Sequence, residues 1–202
     1  MIITIASYKG GVGKTTTAIH LAAYLQTLAP TLLVDGDIIR AASKWSQRGN
    51  AEGLPFKVVP VGQMARHIRD YTHVVTDTEA NPSNEDFKDA AEGCDLLVIP
   101  AEPETMATDG LTFTLSKLRE YGIKHYKVLI TKAPPKPQTE GAQLRASLVE
   151  NGIPVFASEI PLLVAYRKAS AGGGIVSALK EDRNAARAWD AYEAVGKEIT
   201  NG

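Results

Sequence analysis

The chain has 202 residues, 44% of them hydrophobic and 22% charged, with a net charge of −1 at pH 7. This length allows one well-packed domain and is short for two, and the composition is that of an ordinary soluble globular protein. No apolar run approaches the roughly 20 residues of a membrane span, and the first residues lack a charged leader and a cleavage site, so we expect a cytoplasmic protein. The single cysteine, Cys94, excludes an internal disulfide, and the four histidines lack ligand spacing and receive no site role.

Short apolar segments alternate with helical patterns along the whole chain. Strands are predicted at residues 2–7, 31–35, 56–59, 73–77, 96–100, 127–131 and 155–158. Amphipathic stretches of helical length separate them, which is typical of repeated βαβ units. We therefore expect one α/β domain over residues 1–202, a single doubly wound, mainly parallel sheet with helices on both faces. A flexible turn at Gly172-Gly173-Gly174 and a helix over 181–199 complete the predicted elements.

The first strand leads directly into a phosphate-binding loop. The sequence K-G-G-V-G-K-T-T occupies residues 9–16, and a helical pattern follows over 15–28. Glycines let backbone N–H groups converge on phosphate oxygens, Lys14 reaches the terminal phosphates, and the Thr15 hydroxyl is placed to bind Mg²⁺. We expect the nucleotide to contact Gly10, Gly11, Val12, Gly13, Lys14, Thr15 and Thr16.

Two later strands end in acidic residues. The second strand runs into Asp35 and Asp37, and the fourth ends at Asp77. These ends share a sheet edge with the phosphate loop, so the carboxylates are candidates to hold Mg²⁺ or to orient an attacking water. For Asp77 we expect Mg²⁺ to be bound through water. The alternative for Asp35 and Asp37 is an Asx turn that caps the following helix.

Charge is distributed unevenly. Between residues 117 and 187, twelve lysines and arginines face six acids, although the whole chain is almost neutral. This permits a basic face on the C-terminal half, while scattered solvated side chains give the same count. Arg167 and Lys168 sit together on a helical stretch over 162–169 and are the first candidates for DNA binding. The alternative is that they are solvated charges paired with a neighbouring acid.

The loop sequence with its additional Lys9 resembles the deviant Walker A box of the ParA/MinD ATPases, and the D-x-D at 35–37 and the acid at Asp77 resemble their second motif and Walker B. The resemblance implies that Lys9 reaches the phosphates of a partner subunit in an ATP-sandwiched dimer. It implies that Asp37 positions the hydrolytic water. It also places Thr131 and Pro161 near the adenine. The family usually continues D-x-D with Pro-Gln or Pro-Asn, whereas this chain continues Ile38-Ile39-Arg40. This departure concerns the conformation of the switch loop and, through it, the rate of ATP hydrolysis.

Within the family, the chain looks closest to the group of the carboxysome-positioning McdA proteins, with small plasmid-partition ParA proteins nearly as similar. The resemblance implies a weak Mg·ATPase that dimerises on ATP, binds nonspecific double-stranded DNA of the nucleoid and responds to a ParB-like or McdB-like partner. Two alternatives stay open. One is a metabolic carboxylate-activating or amide-forming enzyme of the dethiobiotin or cobyrinic acid type. The other is a MinD-like membrane regulator, which the acidic tail of this chain disfavours.

Overall fold

Six parallel strands form one sheet. The computed structural model describes residues 1–49 and 53–201. The strands are β1 (Ile2–Ile5), β2 (Thr31–Gly36), β3 (Lys57–Pro60), β4 (His73–Thr78), β5 (Leu96–Ala101) and β6 (Tyr126–Ile130). They lie in the order β3-β2-β4-β1-β5-β6, and each neighbouring pair is parallel.

Helices cover both faces of this sheet. They are α1 (Lys14–Gln26), α2 (Ala41–Arg48), α3 (Met64–His67), α4 (Asn84–Glu92), α5 (Thr105–Glu120), α6 (Glu140–Glu150), α7 (Val164–Gly172) and α8 (Ala185–Asn201). Successive strand residues point to opposite faces, so Val98 packs in the core shared with α1, α2, α7 and α8, whereas Leu97 and Ile99 pack in the core shared with α4, α5 and α6. The predicted doubly wound α/β fold is confirmed. None of the helices in the described ranges combines the length and the apolar character needed to cross a membrane.

The loops that carry the sequence motifs meet at one edge of the sheet. β4 lies between β1 and β2, and the register pairs Asp77 of β4 with Ile5 of β1 and with Asp35 of β2. The carboxyl ends of parallel strands are where open α/β sheets bind ligands, at the point where the strand order switches direction. The fold therefore brings the segments that follow β1, β2 and β4 together.

The prediction of a seventh strand at residues 155–158 is wrong. Val155 makes only an isolated bridge to Val128 at the edge of β6. Phe156 N still donates to Val128 O at 3.0 Å, but the next two N–H groups, those of Ala157 and Ser158, donate to the Glu198 carboxylate of α8 at 2.9 and 2.7 Å. A side chain thus takes the donors that a further β ladder would need.

Two helices begin later than the sequence predicts. α8 begins at Ala185 rather than at residue 181, because Asp182 forms a turn first: its carbonyl accepts from Ala185 N and its carboxylate accepts from Asn184 N, both at 2.9 Å. α7 begins at Val164, two residues after the predicted start. Both candidates for DNA binding still lie on α7.

The glycine triplet at the C-terminal end of α7 is part of a tight crossing with α2, which corrects the expectation of a flexible turn. Gly173 has φ 71°, and a Cβ on it would lie 1.9 Å from the backbone nitrogen of Gly49, the residue that ends α2. Arg48 donates from Nε to Ser170 O at 2.7 Å and from Nη2 to Ser170 Oγ at 3.1 Å. The C-terminal ends of α2 and α7 therefore pack backbone against backbone.

Candidate nucleotide site

The loop between β1 and α1 has the backbone of a phosphate-binding loop. Gly11 and Gly13 have φ of 80° and 91°, a region that residues with a Cβ rarely adopt. α1 begins directly after Gly13, which has no side chain to cap the helix. The first N–H groups of α1 and the positive end of its dipole are thus placed to bind an anion.

Lys14 lies buried beneath this loop. Its Nζ donates to the carbonyl oxygens of Ser7 at 3.2 Å and Lys9 at 2.9 Å, so the ammonium spans the loop. Burial lowers the pKa of Lys14, and the nearby carboxylates of Asp77 and Asp37 oppose that shift. The predicted phosphate-binding lysine therefore sits between the loop and the acidic strand ends.

Lys9 occupies the opposite end of the loop. Its backbone N–H donates to Ser7 Oγ at 3.2 Å. Its side chain runs along α5, where a Cβ placed on Gly110 would lie 2.9 Å from Lys9 Cβ. Gly110 thus leaves room for the Lys9 side chain to lie against the helix. The reach of Lys9 to the phosphates of a partner subunit stays a prediction.

Asp77 is fully buried at the end of β4. Among the described residues, neither carboxylate oxygen has a hydrogen-bond partner of normal geometry. Burial raises the pKa of Asp77 to about 7, the Asp35 and Asp37 carboxylates add to that shift, and Thr15 and Lys14 oppose it. A buried, unsatisfied carboxylate is costly unless a cation or a donor joins it.

The donor set around Asp77 fits Mg²⁺. The ion prefers oxygen ligands and is usually held by one or two carboxylates together with substrate phosphates, rather than by a cage of protein ligands. The Thr15 hydroxyl lies close enough to Asp77 to influence its pKa. No cluster of three or more His, Cys, Asp or Glu side chains that could hold a metal occurs in residues 1–49 and 53–201.

Asp35 uses its carboxylate to hold α2. Oδ2 accepts from Ser43 N at 2.8 Å and from Ser43 Oγ at 2.5 Å, and Oδ1 accepts from Asp37 N at 3.1 Å. These bonds match the capping alternative better than the metal role. A role for Asp35 as a Mg²⁺ ligand stays a prediction, and it requires these bonds to be shared or exchanged.

Asp37 sits in the turn that follows β2. Its Oδ1 accepts from Ile39 N at 3.0 Å, which is an Asx turn. The turn leaves Asp37 at the same sheet edge as Asp77 and close enough to Lys14 to influence its pKa. The position agrees with a role in orienting water, a role that stays a prediction.

A cavity of about 690 Å³ opens beside the phosphate loop. Gly13 and Thr16 form its loop side, and Lys132 and Pro161 border it. Thr131 also lines it, but its hydroxyl donates to Val12 O at 2.8 Å. This bond gives Thr131 a role in fixing the loop, and the predicted contacts of Thr131 and Pro161 with a base stay predictions.

The wall of this cavity rests on a buried aromatic cluster that the sequence analysis did not find. His20 of α1 stacks on Tyr192 of α8 at 4.9 Å, and its ring also contacts Trp45 and Tyr166 edge-on. Its Nδ1 lies 2.8 Å from Thr16 O, so Nδ1 carries the proton. Burial lowers the pKa of His20 to about 4, so the ring is neutral at physiological pH. His20 lies nearly two turns into α1, and a polar residue at that position gives no sign in the sequence that it is buried among aromatic rings.

Arg167 and Lys168 are exposed on α7, and Arg167 also lines the cavity beside the phosphate loop. Lys168 Nζ pairs with Asp182 Oδ2 at 2.7 Å, as the solvated-charge alternative expects. Lys180 and Arg183 border the same shallow hollows as Lys168. These hollows are also lined by Glu181 and Asp182. Arg187 lies near Tyr166 of α7. We use the name α7 basic face for the five basic residues on and beside α7: Arg167, Lys168, Lys180, Arg183 and Arg187.

Residues 3–176 match the family model of the CobQ/CobB/MinD/ParA nucleotide binding domain. The chain belongs to this family. It is 31% identical to "Maintenance of carboxysome distribution protein A" of Gloeobacter kilaueensis, over 98% of this chain and 93% of the relative. It is 27% identical to "Protein ParA" of Rhizobium radiobacter, over 98% of this chain and 95% of that protein.

A solved structure of a Cyanothece McdA variant in complex with ATP has the same fold. Its TM-score is 0.70 at 18% identity, with 99% of this chain and 96% of that chain covered. The predicted membership of the ParA/MinD family is confirmed. The family model also bears out the predicted nucleotide binding.

Proposed function

We propose that this member of the family is a ParA-type Mg·ATPase that positions or partitions a cargo. The observation that carries the proposal is Asp77, a buried carboxylate that has no hydrogen-bond partner of normal geometry among the described residues and lies near the buried ammonium of Lys14. A triphosphate with Mg²⁺ would satisfy both groups at once. The names of the two relatives, one for carboxysome distribution and one for ParA, support cargo positioning as the use of hydrolysis.

The proposed chemistry is in-line attack of water on the γ-phosphoryl group. When bound, Mg²⁺, held by Thr15 and Asp77, would neutralise charge on the phosphates. Lys14 binds the terminal phosphates, and the N–H groups of the loop and of α1 hold the others in line. Asp37 accepts a hydrogen bond from the attacking water and orients it. Slow hydrolysis suits positioning, because the ATP-bound state must persist until a partner arrives.

The proposed cycle couples this site to DNA. ATP joins two copies of the chain, with Lys9 of each reaching the phosphates of the other. The dimer binds nonspecific double-stranded DNA, so the protein is cytoplasmic and associated with the nucleoid. A ParB-like or McdB-like partner stimulates hydrolysis and releases the dimer. Dimerisation places two basic faces on one assembly and doubles the phosphate contacts, which makes DNA binding depend on the nucleotide.

The packing of α8 favours this proposal over a MinD-like membrane regulator. Such a regulator would use an apolar helix face to bind lipid. The apolar face of α8 is instead buried against α1, with Tyr192 in the core and Gly196 directly beneath the Tyr24 ring. The metabolic alternative is separated by experiment, since it predicts no DNA binding in any nucleotide state.

Replacing Asp37 with alanine is expected to slow ATP turnover roughly 100-fold, the scale of a lost water-orienting group. The affinity for a nonhydrolysable ATP analogue should stay within about twofold, because Asp37 acts on the water and not on ATP. Single-turnover phosphate release and isothermal titration measure the two quantities. Asp89→Ala, an exposed acid on α4, is the control. Wild-type turnover in Asp37→Ala would show that Asp37 does not act in hydrolysis.

Reversing charge on the α7 basic face is expected to weaken DNA binding. Arg167→Glu/Lys168→Glu, measured with ATP by gel shift on unrelated duplexes, should lower affinity equally for all sequences and reduce the salt slope by about one unit for each phosphate that is no longer neutralised. Arg183→Glu/Arg187→Glu tests the other half of the face. The control is Arg119→Glu/Lys124→Glu, the same charge change at exposed positions in and beyond α5, on the opposite face of the sheet. If only the control pair weakens binding, DNA binds elsewhere.

A further inference from the structure

The turn between β2 and α2 ends in an arginine with an unusual backbone. Arg40 is the N-cap residue of α2 and has φ 57° and ψ 49°, the left-handed region that favours glycine and asparagine. A residue held there needs contacts that fix it. The left-handed conformation turns the chain back, so that the side chain of Arg40 returns toward β2.

The guanidinium of Arg40 closes the turn around Asp37. Its Nη1 donates to the carbonyl oxygen of Asp35 at 2.8 Å, and its backbone N–H donates to the carbonyl oxygen of Asp37 at 3.0 Å. One bond anchors the turn to the end of β2, and the other holds the carbonyl of the residue proposed to orient water. Arg40 therefore contacts the backbone on both sides of the Asp37 side chain.

Apolar packing does not fix this turn. Ile38 and Ile39 are 79% and 65% exposed, so the two residues between Asp37 and Arg40 contribute little burial. The hydrogen bonds from Ile39 N to Asp37 Oδ1 and from Asp37 N to Asp35 Oδ1 are local, and each joins residues only two positions apart. Two sets of contacts tie the far end of the turn back to β2: Ser43 at the start of α2 donates to the Asp35 carboxylate, and the Arg40 guanidinium donates to the Asp35 carbonyl within the turn itself.

We propose that Arg40 is a positioning residue for hydrolysis, which holds the turn so that the Asp37 carboxylate faces the attacking water. The inference rests on the proposed function. The planar guanidinium suits this role because it donates in a fixed direction, whereas a lysine ammonium is a flexible point donor. Arg40 acts through Asp37 and makes no contact with the reacting atoms.

The test uses Arg40→Gly, which keeps the left-handed backbone accessible and removes the guanidinium. We expect kcat for ATP to fall roughly 10- to 100-fold, the effect of a small misplacement of a catalytic group, with the affinity for a nonhydrolysable analogue within twofold. Arg40→Lys should recover part of the rate. Lys44→Gln, which removes an exposed cation one turn further along α2, should keep the wild-type rate.

A double-mutant cycle separates positioning from other roles. In the Asp37→Ala background, Arg40→Gly should have no further effect on kcat, because the group that it positions is already absent. Equal rate losses in both backgrounds, or a wild-type rate in Arg40→Gly, overturn the proposal. If wild-type protein binds the analogue but hydrolyses no ATP, the proposed function fails instead, and that result is read from wild type alone.

Discussion

Replacing Lys14 with alanine is expected to abolish ATP binding at ordinary nucleotide concentrations. The ammonium is buried, spans the phosphate loop and lies close to Asp77 and Asp37. Removing one or two charge-assisted hydrogen bonds to phosphate costs about 3 kcal/mol, or roughly 100-fold in affinity. The buried Asp77 carboxylate, left without its neighbouring cation, would oppose a polyphosphate further.

Isothermal titration with a nonhydrolysable ATP analogue measures this change in affinity, and thermal unfolding checks that Lys14→Ala remains folded. Lys9→Ala is the matched comparison, because Lys9 lies in the same loop but is proposed to act across the dimer. It should bind the analogue like wild type and show weaker dimerisation or slower hydrolysis. Binding by Lys14→Ala within threefold of wild type would contradict the assignment of the phosphate loop. Wild-type dimerisation and turnover in Lys9→Ala would contradict the cross-dimer role.

Gly173→Ala is expected to destabilise the fold by about 2 to 5 kcal/mol. Two effects add: an alanine at φ 71° costs about 1 to 2 kcal/mol, and crowding in a packed site costs about 1 to 3 kcal/mol. The new Cβ would meet the backbone of Arg48 and Gly49, which cannot rotate away as a side chain can. Relief requires the ends of α2 and α7 to separate.

Gly172→Ala is a control within the same triplet. Gly172 ends α7, and a Cβ there meets nothing within 4 Å. Alanine is the better helix former, so the free energy of unfolding should stay level or rise by up to about 1 kcal/mol. Urea unfolding of the two variants and the wild type gives the comparison. Equal stability of Gly173→Ala and Gly172→Ala would refute the tight crossing of α2 and α7.

The core of the fold could be predicted because its signals are local. Buried parallel strands are short apolar runs, and the phosphate loop carries its glycines and its lysine within eight residues between a strand and a helix. Six of the seven predicted strands are present, with ends shifted by a residue or two. The carboxyl-edge rule then placed Asp35, Asp37 and Asp77 together without any knowledge of contacts.

What the sequence could not predict depends on contacts that local patterns do not reveal. Three glycines look like a flexible turn whether or not Gly49 packs against them. Ser43 decides the use of the Asp35 carboxylate, and Glu198 takes the N–H groups of Ala157 and Ser158 that a seventh strand would need. The first is a backbone contact and the other two are competing hydrogen bonds, and composition and spacing carry no signal for any of them.

In the candidate site, too, the motif residues could be predicted from the sequence and their surroundings could not. Lys14 and Asp77 lie where the motifs predict, because each is tied to a strand end. The surroundings of the site, namely the His20 cluster behind the cavity and the Thr131 hydroxyl bond to Val12 O, come from packing between α1, α8 and the loop after β6. The pairing of Lys168 with Asp182 was foreseen only as an alternative, since a charge does not reveal its partner in the sequence.

The nucleotide dependence of DNA binding tests the central claim most directly. Fluorescence anisotropy of a labelled duplex of arbitrary sequence would be measured with increasing protein in the presence of Mg²⁺ and ATP, of Mg²⁺ and ADP, and of no nucleotide, at two salt concentrations. The account predicts binding with ATP alone, weakened steeply by salt as counterion release requires. Equal binding in all three states, or none in any, would contradict an ATPase that positions its cargo through nucleotide-controlled attachment to DNA.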